Sequence, residues 1–344
     1  MYRRPIRSSV GPFLPRCQYP SGQCYDAPCA ALQTGAYKIS MTPYSIGLDL
    51  GGTNLRAAAV SQDGKMLGKV SGRTQYSEGR EAIISDMVEA IEQLRESHGV
   101  EHLKGIGIGV PGFISLKEGI IRNCNNIASL ENFPIREEIG RRLGTRIILE
   151  NDANAAALGE KWIGAGRHVD DLVMLTLGTG VGGGIISGGR VLRGGHGMAA
   201  ELGHITIVPY GNPCGCGNQG CVEKHASATS VTAQARMLGL GDENITARDV
   251  YDLAKAGNEK AQAIFNGMGE ALGILLAMLI NSFDFPLYLI AGGMIAGWDA
   301  FAPAMIAEAK RRSFTFRTED TRVAMAELGN EAGLYGAAYL PFCE

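Results

Sequence analysis

The sequence predicts an α/β fold made of two similar units facing a cleft. A strand–glycine turn–strand hairpin opens each half of the chain. The first runs through Leu48-Asp49-Leu50-Gly51-Gly52-Thr53-Asn54, and the second through Leu175-Thr176-Leu177-Gly178-Thr179-Gly180. After each hairpin, short apolar strands alternate with stretches whose apolar residues recur at helical spacing, as expected for sheets covered by helices. The repeat implies an internal duplication, and the cleft between the halves is the expected ligand site.

In the first half, the two strands around Gly51-Gly52 are followed by a third beyond the Gln62-Asp63-Gly64 turn, giving an antiparallel meander. Ile83, Ile84, Met87, Val88, Ile91 and Leu94 predict a helix over 78–97. A buried strand from Gly105 to Val110 ends at Pro111-Gly112. A helix near 135–143 and a strand at 146–149 then lead to Asn151-Asp152-Ala153-Asn154. In the second half, strands at 172–177 and 181–187 precede helices at about 225–238, 246–256 and 259–282. A strand at 287–290 runs into Gly292-Gly293, followed by a helix, a strand near 323–326 and a last helix from about Asn330. The longest helix is read as the core of its half, Met268 and Met278 included, rather than as a subunit interface. Its unbroken apolar run, Ala271 to Ile280, is shorter than the roughly 20 residues of a bilayer span.

The 344 residues carry a formal net charge of −3, which offers no basic field for a phosphate backbone and argues against nucleic-acid binding. The charge is uneven. Residues 1–42 hold five Lys/Arg against one acid, together with five prolines and three cysteines, and show no periodicity. They contain no apolar stretch of signal-peptide type. They are read either as a tail without fixed structure or as leader sequence ahead of a start at Met41, with an organelle transit peptide less favoured. Of eight cysteines only Cys214, Cys216 and Cys221 group tightly, and a chain of this length needs no disulfide staples, so a reducing cytosol is expected.

Gly178-Thr179-Gly180-Val181-Gly182-Gly183 matches a dinucleotide string, but it runs into a β-hairpin instead of opening a helix, which argues against a dehydrogenase. No P-loop string occurs. Two hairpins with small turn residues suit phosphate in another way. Their backbone N–H groups can approach phosphate oxygens, and Thr53 or Thr179 can add a hydroxyl. Asp49, just before the first turn, would repel phosphate unless a cation such as Mg²⁺ stands between them, held partly through water. Gly51, Gly52, Thr53, Asn54, Gly178, Thr179, Gly180 and Asp49 are therefore candidate nucleotide contacts. His204, Cys214, Cys216 and Cys221 lie within eighteen residues. Four N/S ligands with no open position describe a structural zinc site, worth on the order of 10 kcal/mol to its loop. His98, His102, His168 and His196 show no such pattern.

Taken in order, these motifs resemble those of the ROK family of sugar kinases and repressors, most closely its bacterial glucokinases. The resemblance rests on Asp49-Leu50-Gly51-Gly52-Thr53-Asn54, Glu150-Asn151-Asp152-Ala153-Asn154-Ala155, Leu177 to Gly184, Glu201-Leu202-Gly203-His204 and Cys214-Gly215-Cys216-Gly217-Asn218-Gln219-Gly220-Cys221-Val222-Glu223. It spans about 44–340 and implies the two-domain, actin-like (hexokinase-type) ATPase fold. Residues 43–153 plus about 328–344 would form a small domain and 154–327 a larger one carrying the zinc loop. The resemblance makes Asp152 the catalytic base and Asn151 a sugar ligand. It puts Glu201, His204 and Glu223 on sugar hydroxyls, Gly292 and Gly293 beside adenosine, and Asn126 in the sugar pocket. The family's glucokinases commonly carry Gly-Trp just past that asparagine, where this chain has Ala128-Ser129-Leu130.

The chemistry fits these residue types. A sugar hydroxyl is a weak nucleophile, and a carboxylate that takes its proton contributes about 10²–10⁴-fold. Ionised Glu201 and Glu223 can each accept from several hydroxyls. The expected activity is ATP-dependent phosphorylation of a hexose, glucose first, with N-acetylmannosamine, N-acetylglucosamine, allose and fructose as rivals. A sugar-responsive regulator would need a helix-turn-helix that 42 proline-broken residues cannot supply, and Asp49 and Asp152 speak against a silent sugar-binding protein. The expected partners are sugar, ATP with Mg²⁺, and zinc, with no nucleic acid or membrane. The family resemblance implies a homodimer or homotetramer.

Overall fold

The computed structural model describes residues 42–343 apart from positions 52–53, 75, 125–126 and 317–319. The expectations for the N-terminal segment up to residue 41, and the roles given to Gly52, Thr53 and Asn126, lie outside the described residues.

The first half opens with β1 (Tyr44–Leu50), β2 (Asn54–Ser61) and β3 (Met66–Arg73), the predicted meander. Helix α1 (Arg80–His98) and β4 (Leu103–Val110) follow, then a small hairpin of β5 (Phe113–Ser115) and β6 (Ile120–Asn123). Helix α2 (Ile135–Leu143) and β7 (Ile147–Asn151) complete it, and α3 (Asp152–Trp162) leads into the second half. There β8 (Leu172–Leu177), β9 (Val181–Ser187) and β10 (Arg190–Val191) precede α4 (Glu223–Ala226), α5 (Ala228–Met237), α6 (Ala247–Lys255) and α7 (Glu259–Phe283). β11 (Leu287–Ala291), α8 (Trp298–Arg312), β12 (Arg322–Met325) and α9 (Ala332–Cys343) close the chain.

The duplication is exact in topology. One five-stranded sheet has the order β3-β2-β1-β4-β7 and the other β10-β9-β8-β11-β12. In each, the first three strands are antiparallel and the rest join in parallel. Ile46, Leu48, Ile106 and Ile108 fill the core of the first half together with the buried face of α1. The short strands β5 and β6 were not anticipated, because three or four residues cannot display a period. The helix expected at 225–238 is split in two. Ser227 adopts an extended backbone at the break, and its Oγ accepts the Ser230 N–H at 3.1 Å, a typical serine N-cap.

Helix α7 is long and apolar enough to cross a membrane by length and composition alone. Its Phe265, Leu272, Leu275, Leu276 and Ile280 are instead buried in the core of the second half. Met268 is buried there too, but Met278 is 40% exposed, contrary to expectation. Ten residues along a helix of 3.6 per turn rotate it off the buried stripe. Helix α9 returns to the first half. It crosses β1 and β4 at Gly47 and Gly107, and meets α3 where Gly159 faces Gly336. A Cβ on Gly336 would overlap the Ala155 carbonyl, so the two helices approach only because that side chain is missing.

Candidate active site

The ends of β1, β7 and β8 open onto a cleft of about 510 Å³. Asp49, Asn151, Asp152, Gly178, Gly180, Glu201, His204, Glu223 and Gly292 from the predicted set line it. Thr179 and Gly293 line an adjoining apolar cavity of about 260 Å³ that also touches Gly178. Gly51 and Asn54 close the first turn, with the Gly51 N–H donating to the Asn54 carbonyl at 2.9 Å, but they do not line the cleft.

Asn151 and Asp152 divide the junction of β7 and α3 between them. Asn151 is the N-cap: its Oδ1 accepts from the N–H groups of Ala153 (3.0 Å) and Asn154 (3.2 Å), and its Nδ2 faces the Gly112 carbonyl at 3.4 Å. Capping therefore occupies its oxygen, leaving mainly the amide N–H₂ for a ligand. Asp152 is the first helical residue, and its carboxyl group is recessed in the cleft. Withdrawal from water raises its pKa to about 6, and the negative charges of Asp49 and Glu201 add to the rise. At neutral pH the group is mostly ionised yet close enough to titration to take up a proton readily.

Asp49 is buried, which pushes its pKa up, and Arg56 partly offsets the rise. Arg56 Nη2 donates to Asp49 Oδ2 at 2.5 Å and Nη1 to the Asn330 carbonyl at 2.7 Å. Arg56 also lines the cleft, and the sequence reading missed it. The signal was there: a hairpin turning at 51–53 sets Asp49 directly opposite Arg56 across β1 and β2. With one carboxylate oxygen held by Arg56, the other can face a hydrated Mg²⁺, so the residues present fit that ion.

The second hairpin is tied from both sides. Thr229 Oγ1 donates to the Thr179 carbonyl at 2.7 Å and the Ala228 N–H to the Gly178 carbonyl at 2.9 Å, which anchors the start of α5 on the turn. Glu223 Oε2 accepts the Val181 N–H at 3.1 Å, and a side chain on Gly180 would collide with that same oxygen. One carboxylate thus touches the hairpin while lining the same cleft as His204. No spacing in the sequence could reveal this contact, because 42 residues separate its partners.

His204, Cys214, Cys216 and Cys221 converge as predicted, with their ligand atoms all within 4.8 Å of one another. Cys216 Sγ and Cys221 Sγ are 3.7 Å apart, and Cys214 Sγ lies 3.5 Å from His204 Nδ1. A zinc ion with Zn–S bonds near 2.3 Å has S···S edges of about 3.8 Å, so the Cys216–Cys221 edge matches a tetrahedral site and the residues present fit zinc. Burial and the two neighbouring thiols push Cys221 up to about 12, so a cation is needed before these thiols ionise together. With Nδ1 turned to the sulfurs, the Nε2 face of His204 is the one available to the cleft.

A sheet order used twice around one cleft, with Asp49 and Arg56 of the first hairpin and Gly178 and Gly180 of the second lining it, is the arrangement of the actin-like ATPases. Within that class the chain belongs to the ROK family, whose model matches residues 45–342. It is 38% identical to a glucokinase of Thermotoga maritima over 85% of this chain and 95% of that protein. Among solved structures, a ROK hexokinase from Thermus thermophilus superposes with a TM-score of 0.77 at 36% identity, covering 86% of this chain and 96% of the other. A ROK glucokinase from Streptomyces griseus, solved with glucose and AMPPNP, gives 0.73 at 34% identity over 86% and 98%.

Proposed function

We propose that this protein is an ATP-dependent glucokinase that transfers the γ-phosphoryl group of ATP to the 6-hydroxyl of D-glucose. The observation that carries the reading is the meeting, in one cleft, of Asp49 from the first hairpin and Gly178 and Gly180 from the second with a carboxylate, Asp152, whose pKa is raised to about 6. Asp152 accepts the hydroxyl proton as the oxygen attacks phosphorus, and ADP leaves. Glu201, Glu223 and the Nε2 face of His204 hold the sugar, helped by the amide of Asn151 and by Asn126. Glu223 also engages the Val181 N–H, so sugar and phosphate sites share one rigid contact.

Nucleotide binding divides between the hairpins and the adjoining cavity. Asp49 with the Gly51-Gly52-Thr53-Asn54 turn and Gly178-Thr179-Gly180 take the phosphates. When bound, Mg²⁺ neutralises phosphate charge. The base side falls in the apolar cavity, where Tyr251, Phe265 and Met294 lie beside Gly293. Gly292 (φ 91°) fits against the Leu177 carbonyl, where any side chain would collide. Zinc holds the loop that presents His204 and Glu223 and takes no part in the reaction. We assign residues 43–153 with about 328–344 to one lobe and 154–327 to the other, closing on sugar and ATP. We assign the protein to a reducing cytosol, where the cluster's thiols stay reduced, and to a homodimer or homotetramer.

The deciding experiment is ADP release from MgATP across a sugar panel, with Asp152→Ala beside the parent. Turnover on glucose that disappears in the variant supports the assignment. Turnover only on N-acetylglucosamine, N-acetylmannosamine, allose or fructose retains the mechanism and changes the substrate. Folded, zinc-loaded protein that turns over no sugar overturns it.

A further inference from the structure

Glu160 is wholly buried and does not line the cleft. It lies on α3 about two turns beyond Asp152, which opens the same helix. We propose that Glu160 is a positioning residue for the nucleotide site, one that sets Asp49 through the 327–330 turn and Arg56. The role rests on reading Asp49 as the neighbour of a hydrated Mg²⁺.

Three backbone N–H groups close on the Glu160 carboxylate. Oε2 accepts from Ala165 at 2.9 Å and from Glu327 at 3.2 Å, and Oε1 accepts from Leu328 at 2.7 Å. Among the described residues no cation forms an ion pair with it: Lys161 pairs with Asp170, and Arg167 with Glu327. A buried carboxylate without a counter-ion is costly, and several N–H donors offset that cost. An ionised carboxylate accepts at both oxygens and donates nothing, so a wall of amides suits it and suits a glutamine poorly. The surroundings leave space for this side chain alone, since a Cβ on Gly164 would overlap Oε2.

Two of the three amides belong to the turn between β12 and α9. Gly329 (φ 55°) and Asn330 follow directly and line the cleft. The Asn330 carbonyl accepts from Arg56 Nη1 at 2.7 Å, while Arg56 Nη2 donates to Asp49 Oδ2 at 2.5 Å. The turn also sets the start of α9, where a Cβ on Gly333 would stand 3.4 Å from Asp49 Oδ1. Successive contacts therefore run from the helix of Asp152 to the carboxylate on the cation side. Shifting the turn moves Arg56, and with it the Asp49 oxygen left for the ion. Phosphoryl transfer needs the base and the phosphates held in one frame, and Glu160 refers both to α3.

The test compares the full chain with Glu160→Gln, which keeps the shape but turns an N–H₂ toward the amides. Titration calorimetry with AMPPNP, a non-hydrolysable ATP analogue, with and without Mg²⁺, and separately with glucose, reads binding without turnover. The Mg²⁺-dependent affinity for AMPPNP should fall roughly threefold to tenfold, with glucose affinity unchanged. Hydrogen exchange of the Glu327 and Leu328 amides should quicken. Gly329→Ala strains the same turn from its exposed end, with open space at its Cβ. It should weaken AMPPNP in the same sense, and it answers the question should Glu160→Gln fail to fold. Arg56→Lys tests the route with either variant: in that background the second change should add little, whereas independent losses add. Unchanged Mg²⁺-dependent affinity in the folded variants, equal loss of AMPPNP and glucose, or additive losses with Arg56→Lys overturns the proposal. A parent that binds no AMPPNP with Mg²⁺ overturns the nucleotide reading itself. A parent that binds it, beside an indistinguishable Glu160→Gln, overturns only the role of Glu160.

Discussion

The two halves share one strand order but not one electrostatic design. At the end of β1 the residue two before the first turn glycine is Asp49, and at the end of β8 the same place is Thr176. Both line the cleft. The first half therefore brings a buried carboxylate balanced by Arg56, while the second brings a neutral hydroxyl beside Gly182. Asp152, at the junction of the two, already has its pKa raised by Asp49 and Glu201. Another carboxylate at position 176 would raise it further, toward a base protonated at neutral pH. The second half differs again between β10 and α4, where it inserts the cysteine loop that the first half lacks. A duplicated scaffold can thus place different chemistry at matching positions, a carboxylate at 49 and a hydroxyl at 176, by changing a few side chains.

The strongest test of this division is at the junction. Asp152→Ala should lower kcat by about 10²–10⁴-fold with little change in the sugar KM, measured by steady-state kinetics. Because removing a recessed charge relieves its desolvation, Asp152→Asn should melt no lower than the parent. Next comes the loop unique to the second half. Cys214→Ser, or metal chelation, should raise the sugar KM by about 10–100-fold and speed hydrogen exchange over 204–223, leaving β1 to β4 unaffected. An unchanged sugar KM in chelated, folded protein would separate the zinc loop from the sugar site.

The contact that brings α9 back to the first half is the third target. Gly336→Ala should cost about 1–3 kcal/mol in urea unfolding, because the added methyl meets the Ala155 backbone with no flexible atom to give way. The smallest effects concern pH and compare positions 49 and 176 directly. Asp152 must lose its proton to act, so kcat/KM should rise from acid pH and level off above about 6. Asp49→Asn removes a like charge and should shift that limb to lower pH, and Thr176→Asp should shift it to higher pH, each by about one unit or less. Limbs that do not move would show that the two positions do not share Asp152.

Elements set by neighbours in the chain were legible from the sequence. The hairpins, α1, α2 and α7 lie close to where periodicity placed them, and His204, Cys214, Cys216 and Cys221 converge as their spacing implied. The misreadings have local causes: Ser227 capped a new helix inside an apparently continuous one, β5 and β6 were too short for a period, and Met278 turned outward. By itself, then, the sequence determined the two hairpins, most of the helix spans and the carboxylates and glycines that line the cleft. Tertiary structure alone decided what those groups became. It set Glu223 on the Val181 amide, returned α9 to β1 and β4, and recessed Asp152 until its pKa rose. The physical reason is range: propensity and periodicity act over a few residues, whereas desolvation and charge–charge coupling depend on which distant segments packing brings within a few ångströms.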